Sequence, residues 1–166
     1  MKPIKQADLF NALATALGNV KTITKSLHSG TVFDQDLATR LPLKILIVED
    51  NVINQKVAQR TLLRFGYQAD LAVNGKEALE AVERKKYDLL FMDMQMSEMD
   101  GLEASRRICA RFVSSERPYI IAMTANAMKE DQESCLAAGM DDYLSKPIRP
   151  AEVKAALERA ATRFEK

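Results

Sequence analysis

The sequence predicts an α/β protein in which helices cover both faces of a five-stranded parallel sheet. From Leu43 onward, short apolar runs alternate with longer segments whose apolar residues recur every three or four positions. This alternation is typical of parallel sheets, because their strands are joined by crossover helices. The 166 residues are 47% hydrophobic and 28% charged, so the chain has an ordinary globular composition and can bury a core.

Five short runs form the predicted strands, and most of them are rich in the Ile, Val, Leu or Met typical of a buried sheet. In chain order the runs are residues 44–48, 68–73, 88–92, 119–124 and 142–144. Each run is followed by a segment with helical periodicity, so the five strands can lie parallel to one another.

Five helices follow the strands. The first begins near Asn51 and carries its apolar residues on one face, and Gly66 is suited to end it because glycine takes a left-handed conformation without steric cost. The others are predicted at residues 75–85, 101–112, 127–138 with Gly139 as the stop, and 151–164. Five strands and five helices in this order predict the flavodoxin-like doubly wound fold, with strand order 2-1-3-4-5.

Polar side chains follow the carboxyl ends of four predicted strands, the edge at which doubly wound folds bind ligands. They are Glu49, Asp50, Asp93, Thr124 and Lys146. Three carboxylates held close together repel one another, and protonation or a divalent cation such as Mg²⁺ relieves that repulsion. A carboxylate beside such an ion could attack phosphorus and form an acyl phosphate, with Lys146 and Thr124 stabilising the phosphoryl group.

Four motifs lie at this edge. They occupy residues 46–55, 92–101, 123–125 and 143–147 and read LIVEDNVINQ, MDMQMSEMDG, MTA and YLSKP. One such motif is a weak signal, but four in order at matching spacing are specific. On these motifs, residues 43–166 resemble the receiver domain of two-component signalling, especially the receivers attached to hybrid histidine kinases.

The resemblance implies a Mg²⁺-dependent phosphoacceptor site. Asp93 would accept a phosphoryl group from a phosphohistidine. Glu49, Asp50 and Asp93 would ligate Mg²⁺, together with the main-chain carbonyl of Gln95. The implied partner is a phosphohistidine-bearing kinase or a histidine phosphotransfer domain.

The resemblance also implies how the site responds to phosphorylation. Thr124 would bond a phosphoryl oxygen, and Lys146 would pair with the phosphate. Tyr143 would be the aromatic residue that changes rotamer with activation, because a shift of the loop after Thr124 vacates space for its ring. The Lys146–Pro147 peptide bond is expected to be cis.

Each candidate residue also has a simpler structural interpretation. Asp93 could be a solvated loop carboxylate, and the pair Glu49 and Asp50 could be the N-cap of a helix. Thr124 could be an ordinary strand residue, and Tyr143 a half-buried packing residue. The methionines at positions 92, 94, 96 and 99 are typical of flexible packing rather than of a cofactor site.

Two other functions compete with the phosphoacceptor hypothesis. A phosphatase that forms an aspartyl phosphate needs a second carboxylate two residues after Asp93, and here that residue is Gln95. A degenerate receiver used only for protein contacts remains the alternative, although the five polar residues at the edge are intact. The word enzyme would apply only in a limited sense, because a receiver catalyses its own phosphorylation and dephosphorylation. Ser97 stands where most relatives carry proline, so we expect a looser loop with the chemistry retained.

The first 42 residues repeat part of the receiver domain. Residues 2–9 read KPIKQADL against KPIRPAEV at 146–153. We therefore predict that residues 1–18 are the terminal helix of an upstream receiver-like domain, residues 19–42 a linker with His28 as an exposed residue, and residues 43–166 the receiver. The apolar stripe of the first helix could dock on the receiver or on a second chain, which allows self-association.

The charge balance excludes two classes of partner. Lys and Arg number 24 against 23 Asp and Glu, so the net charge is +1 and no global field attracts nucleic acid or a membrane surface.

No apolar run reaches the roughly 18 residues of a membrane span, and the first residues do not resemble a signal peptide. Cys109 and Cys135 do not form a disulfide framework or a zinc motif. We expect a cytoplasmic protein.

Overall fold

A computed structural model describes residues 34–126 and 128–165, and in this part of the chain a parallel five-stranded sheet is flanked by six helices. The sheet order is β2-β1-β3-β4-β5, which confirms the predicted fold class. The strands are β1 (Ile45–Val48), β2 (Ala69–Ala72), β3 (Leu89–Asp93), β4 (Tyr119–Thr124) and β5 (Asp142–Ser145). The helices are α1 (Leu37–Arg40), α2 (Val52–Leu63), α3 (Gly75–Arg84), α4 (Gly101–Arg111), α5 (Lys129–Ala137) and α6 (Pro150–Thr162).

The sheet separates two apolar layers, because successive side chains of a strand point to opposite faces. Leu46 and Val48 of β1 contribute to one layer, and Ile45 and Ile47 contribute to the other. Every residue of β1 and β3 is buried, as expected for strands covered on both faces. The continuous apolar runs of the sequence thus lie at the centre of the sheet.

The strand register brings together the polar residues at the carboxyl ends of the strands. Val48 of β1 lies opposite Met92 of β3, so the following residues of the two strands leave the sheet side by side. Thr124 of β4 lies opposite Ser145 of β5, at the same edge. The parallel register therefore positions the candidate site.

Two glycines end helices in the way that the sequence predicts. Gly66 after α2 has φ 85°, and Gly139 after α5 has φ 86°, in the left-handed region that favours glycine. Helix α5 begins at Lys129, later than predicted, after an N-cap Met128 whose side chain makes no capping hydrogen bond. The predicted start at residue 127 lies outside the described residues.

Helix α1 is an addition to the five predicted helices. Leu37 is buried in the layer that contains Ile45 and Ile47. The Ala38 N–H donates to the Phe65 carbonyl at 3.0 Å, and the Tyr67 hydroxyl donates to the Leu41 carbonyl at 2.7 Å. These contacts join the residues before β1 to the turn between α2 and β2. The predicted helix at residues 1–18 and His28 lie outside the described part of the chain.

The sulfur-containing residues serve packing. Met92 and Met99 are buried in the layer that contains Leu46, and Met94 and Met96 pack against it, which confirms the packing interpretation. Cys109 and Cys135 are free thiols. None of the described helices combines the length and the apolar character of a membrane span.

Candidate functional site

Glu49 is a buried carboxylate held in place by the residues that follow it. It comes directly after β1, and its Oε1 accepts hydrogen bonds from the Asn51 N–H and from Asn54 Nδ2, both at 3.2 Å. Gln55 Nε2 donates to the Glu49 carbonyl at 2.7 Å. Sequence reasoning assigned no role to Asn54 or Gln55, although both belong to the first motif. Their position in the first turn of α2 allows them to reach back to Glu49.

The N-cap of α2 is Asn51. Its Oδ1 accepts from the Ile53 N–H at 2.9 Å and the Asn54 N–H at 3.2 Å. The interpretation of Glu49 and Asp50 as the cap is therefore wrong. Asp50 is exposed, and its Oδ2 accepts a long hydrogen bond of 3.4 Å from the Ser97 N–H. Proline at position 97 could not donate this bond, because it has no N–H.

Asp93 and Lys146 form the centre of the site. Asp93 is the last residue of β3 and is only 5% exposed, so it is not a solvated loop carboxylate. Lys146 Nζ lies 2.9 Å from Asp93 Oδ1 and 2.8 Å from Glu49 Oε2, so one ammonium bridges two carboxylates. The Gln95 N–H also donates to Asp93 Oδ1, at 3.2 Å. The peptide bond between Lys146 and Pro147 is cis, as the resemblance implied.

The pKa values of this pair reflect burial and mutual attraction. Burial raises the pKa of Asp93, Lys146 lowers it and the nearby Glu49 raises it again, so the net pKa lies above that of an ordinary aspartate. Burial alone would lower the pKa of Lys146. Its hydrogen bonds to Glu49 and Asp93 outweigh that effect and raise the pKa, so the ammonium remains charged.

The carboxylates fit a divalent cation. One oxygen each of Glu49, Asp50 and Asp93 lies within 4.8 Å of the others. Mg²⁺ binds oxygen ligands at about 2.0–2.1 Å and takes one or two protein carboxylates together with water. A hard cation also offsets the repulsion among the three carboxylates, of which only Glu49 and Asp93 pair with Lys146. The donor set is thus suited to Mg²⁺.

A narrow cleft opens beside Asp93. Its volume is about 130 Å³. The predicted residues Asp93, Gln95, Thr124 and Lys146 line it, together with Met94, Met123, Ala125, Asn126 and Asp131. Sequence reasoning did not find Asp131, because it lies near the start of α5, outside every motif. Asp93, Thr124 and Lys146 thus line the same cleft.

Thr124 faces this cleft as a buried residue at the end of β4. Its hydroxyl donates to the Asn126 carbonyl at 2.7 Å and accepts from the Asn126 N–H at 3.1 Å. The Lys146 N–H donates to the Thr124 carbonyl at 2.7 Å, which links the ends of β4 and β5. The hydroxyl is thus bonded to the loop that is expected to move on phosphorylation.

Tyr143 lies on β5, opposite Ala122 of β4. The residue is 36% exposed, so it is partly buried at the surface. The structure therefore places Tyr143 on the surface near the strands that carry Thr124 and Lys146.

Known proteins share this fold and these motifs. A model of the response regulator receiver domain family matches residues 45–158. Hybrid signal transduction histidine kinase H of Dictyostelium discoideum is 41% identical over 145 residues, which cover 82% of this chain and 10% of that protein. The chain thus spans a small part of the length of this relative.

Two solved structures extend the comparison. The receiver domain of sensor histidine kinase PA1611 from Pseudomonas aeruginosa PAO1, with a magnesium ion in its active site cleft, is 42% identical with a TM-score of 0.66, covering 72% of this chain and 98% of that chain. The second is the co-crystal structure of the Saccharomyces cerevisiae histidine phosphotransfer protein Ypd1 with the receiver domain of Ssk1. It matches at 29% identity and a TM-score of 0.67, covering 75% of this chain and 92% of that chain. By fold, motifs and relatives, this chain belongs to the family of response regulator receiver domains.

Proposed function

We propose that this receiver accepts a phosphoryl group from a phosphohistidine onto Asp93 and thereby changes its interactions with partners. The observation that carries the proposal is the buried Asp93 carboxylate at a cleft, held 2.9 Å from Lys146 Nζ and within 4.8 Å of two further carboxylates. In the transfer, an Asp93 oxygen forms a bond to phosphorus. The bond from phosphorus to the histidine nitrogen breaks, and the nitrogen keeps the electron pair.

Lys146 and Gln95 prepare Asp93 for this step. Both donate to Asp93 Oδ1, so the carboxylate is fixed in orientation before a donor arrives. The ammonium of Lys146 also offsets the negative charge that the phosphoryl group brings. Because Glu49 shares that ammonium, it keeps Lys146 aligned with the cleft.

Glu49, Asp50 and Asp93 would hold Mg²⁺, with the main-chain carbonyl of Gln95 as a further ligand. When bound, the ion supplies positive charge to the phosphoryl oxygens. The arrangement of the three carboxylates supports this assignment. The magnesium ion in the active site cleft of the PA1611 receiver supports it independently.

Thr124 and Tyr143 would convert the modification into a change of surface. A phosphoryl oxygen would compete with Asn126 for the Thr124 hydroxyl, so the loop after β4 would shift. Space vacated by that loop would let the exposed Tyr143 ring turn inward. The surface formed by β4, α5 and β5 would then differ between the two states.

The partner that supplies the phosphoryl group would be a histidine kinase or a histidine phosphotransfer domain. Exposed apolar side chains stand beside the carboxylate cluster, on the first turns of α2: Val52, Ile53 and Val57. Apolar residues next to a reactive site are typical of a contact surface. The co-crystal structure of Ypd1 with the Ssk1 receiver supports this class of partner.

We also propose that the receiver belongs to a longer hybrid histidine kinase. Kinase H is a hybrid signal transduction histidine kinase, and its match to this chain covers 10% of its length, which supports a receiver that is part of a longer kinase. In this proposal residues 1–18 end a preceding receiver-like domain and residues 19–42 form the linker.

Hydrogen exchange across residues 8–17 tests the docking of the first helix, since exchange at the random-coil rate would contradict it.

Incubation with acetyl phosphate and Mg²⁺, followed by intact-mass measurement, tests the central proposal. We expect an adduct of one phosphoryl group that is absent from Asp93→Asn and absent after chelation of the metal. Glu103→Gln on the exposed face of α4 is the matched control and should acquire the adduct as the wild type does. Failure of the wild type to acquire an adduct would instead favour a degenerate receiver used for protein contacts.

A further inference from the structure

Asp131 lines the Asp93 cleft but has no part in the function proposed above. It lies in the first turn of α5 and is half-buried. Its side chain makes no hydrogen bond or ion pair with the other residues that the structure describes. By contrast, Lys146 is bonded to Glu49 and Asp93, and the Thr124 hydroxyl is bonded to Asn126. Among the residues lining the cleft, Asp131 is the ionisable group that lacks a partner.

An acyl phosphate on Asp93 would lie at this cleft, so water in the cleft could reach it. Water attacks phosphorus from the side opposite the Asp93 oxygen that leaves. With a volume of about 130 Å³, the cleft has room for several water molecules. An attacking water needs an acceptor that fixes its orientation. Asp131 is the carboxylate that lines the cleft besides Asp93 itself.

We propose that Asp131 is a positioning residue that orients the attacking water and so shortens the lifetime of the phosphorylated receiver. This inference rests on the phosphoacceptor function of Asp93. The water oxygen forms a bond to phosphorus as the bond from phosphorus to the Asp93 oxygen breaks. The electron pair of that bond restores the Asp93 carboxylate, inorganic phosphate leaves, and a water proton passes by way of Asp131 to solvent.

A helix-stabilising role for Asp131 makes a different prediction. An acidic residue in the first turn of a helix interacts favourably with the helix dipole, and Glu130 is the other such residue in α5. Glu130 is exposed and does not line the cleft. The variant Glu130→Gln therefore removes the same charge from the same helix turn and leaves the cleft unchanged.

The test compares the decay of the adduct in the wild type, Asp131→Asn, Asp131→Glu and Glu130→Gln. Each protein is phosphorylated with acetyl phosphate and Mg²⁺, the donor is removed, and the adduct is followed by intact mass. We expect Asp131→Asn to slow the decay about fivefold or more, since positioning provides most of the catalysis in phosphoryl transfer. Asp131→Glu should restore part of the decay rate, and the adduct on Glu130→Gln should decay as fast as the adduct on the wild type.

Four outcomes would overturn the inference. Equal decay in Asp131→Asn and the wild type would show that the carboxylate does not act on water. Faster adduct formation with unchanged decay would show that Asp131 merely repels anionic donors. Equally slow decay of the adduct in Glu130→Gln would show that the effect comes from the charge in the first turn of α5 and not from a carboxylate in the cleft. Absence of any adduct in the wild type would remove the phosphoacceptor proposal itself, whereas the other three outcomes leave that proposal intact.

Discussion

Lys146 pairs with two carboxylates at once, and its ammonium stabilises the ionised form of Asp93 although that residue is buried. A buried carboxylate loses the hydration that stabilises its charge, which is the reason for its raised pKa. The nearby ammonium offsets part of that loss. Glu49 competes for the same ammonium, so the site as a whole retains an excess of negative charge. That excess attracts a cation before any phosphoryl group arrives.

A second buried ion pair, far from the site, joins Arg117 and Asp141. Two guanidinium nitrogens of Arg117 contact the Asp141 oxygens at 2.7 and 2.8 Å, and the Ile120 N–H donates to Asp141 at 2.8 Å. The two side chains are 13% and 17% exposed. We expect Asp141→Ala to lower the free energy of unfolding by about 3 kcal/mol, because it leaves a mostly buried cation unpaired.

Denaturant unfolding of purified protein would measure this change. Glu103→Gln, which interrupts exposed pairs to Arg106 and Arg107, is the control and should cost less than about 0.5 kcal/mol. If Asp141→Ala lowered the free energy of unfolding by the same small amount as Glu103→Gln, the Arg117 pair would contribute no more than a surface pair.

Helix α1 is attached to the domain by specific contacts rather than by its own helical stability. A helix of four residues is too short to be stable alone, so its packing must hold it. Leu37 supplies the apolar contact, and Tyr67 supplies a hydrogen bond to the Leu41 carbonyl. The salt bridge from Lys154 of α6 to Asp34, at 3.6 Å, adds a third contact.

Tyr67→Phe tests this attachment and its pH dependence. Burial raises the pKa of Tyr67 to about 12, above the value of 10.0 for the free side chain. The folded state therefore favours the neutral phenol, and that stabilisation is complete below pH 10 and lost as the pH rises through 12. At neutral pH we expect the variant to be less stable by about 1 kcal/mol, the typical cost of one hydrogen bond.

The difference in unfolding free energy between the wild type and Tyr67→Phe should then narrow as the pH rises from 10 towards 12. Chemical denaturation at several alkaline pH values measures it. Tyr87→Phe is the comparison, since Tyr87 has a pKa raised to about 12 but donates to Asp70 instead of α1. A constant difference across this pH range would show that the Tyr67 phenol does not titrate as its burial implies.

At the scale of the whole molecule, the reactive groups and the proposed docking residues lie side by side along one edge of the sheet. The ends of β1, β3, β4 and β5 carry the charged and polar groups, and α2 starts beside them with exposed apolar residues. A partner that delivers a phosphoryl group must approach this edge, because Asp93 lies there and lines the cleft. Small donors need no such contact, so the two kinds of donor can be distinguished experimentally.

Ile53→Glu should slow transfer from a histidine phosphotransfer domain in its phosphohistidine form by about tenfold or more, the effect of a charge introduced into an apolar contact. Ile53 is 72% exposed, so the substitution should leave folding and the acetyl phosphate reaction unchanged. Val113→Glu is the matched control, because Val113 is 63% exposed and follows the distant end of α4. Equal transfer rates in Ile53→Glu and Val113→Glu would place the docking surface elsewhere.

Local pattern was sufficient for most of the fold and for the residues of the motifs. Asp93, Thr124 and Lys146 could be predicted because each follows a strand with a clear apolar run, and parallel strands end at a common edge. Helix α1 could not be predicted, since one turn carries no periodic signal. The start of α5 was predicted too early because no side chain caps this helix, and capping residues are the main sequence signal of a helix start.

The sequence by itself determined the order of strands and helices, the family and the edge at which the chemistry lies, because these follow from periodicity and from motifs of contiguous residues. Only the tertiary structure decided that Lys146 bridges Glu49 and Asp93, that Asn51 rather than Asp50 caps α2, and that Asp131 lines the cleft. The first and third of these join residues that are far apart in the chain. Their contacts depend on how helices and strands pack, which no local pattern encodes.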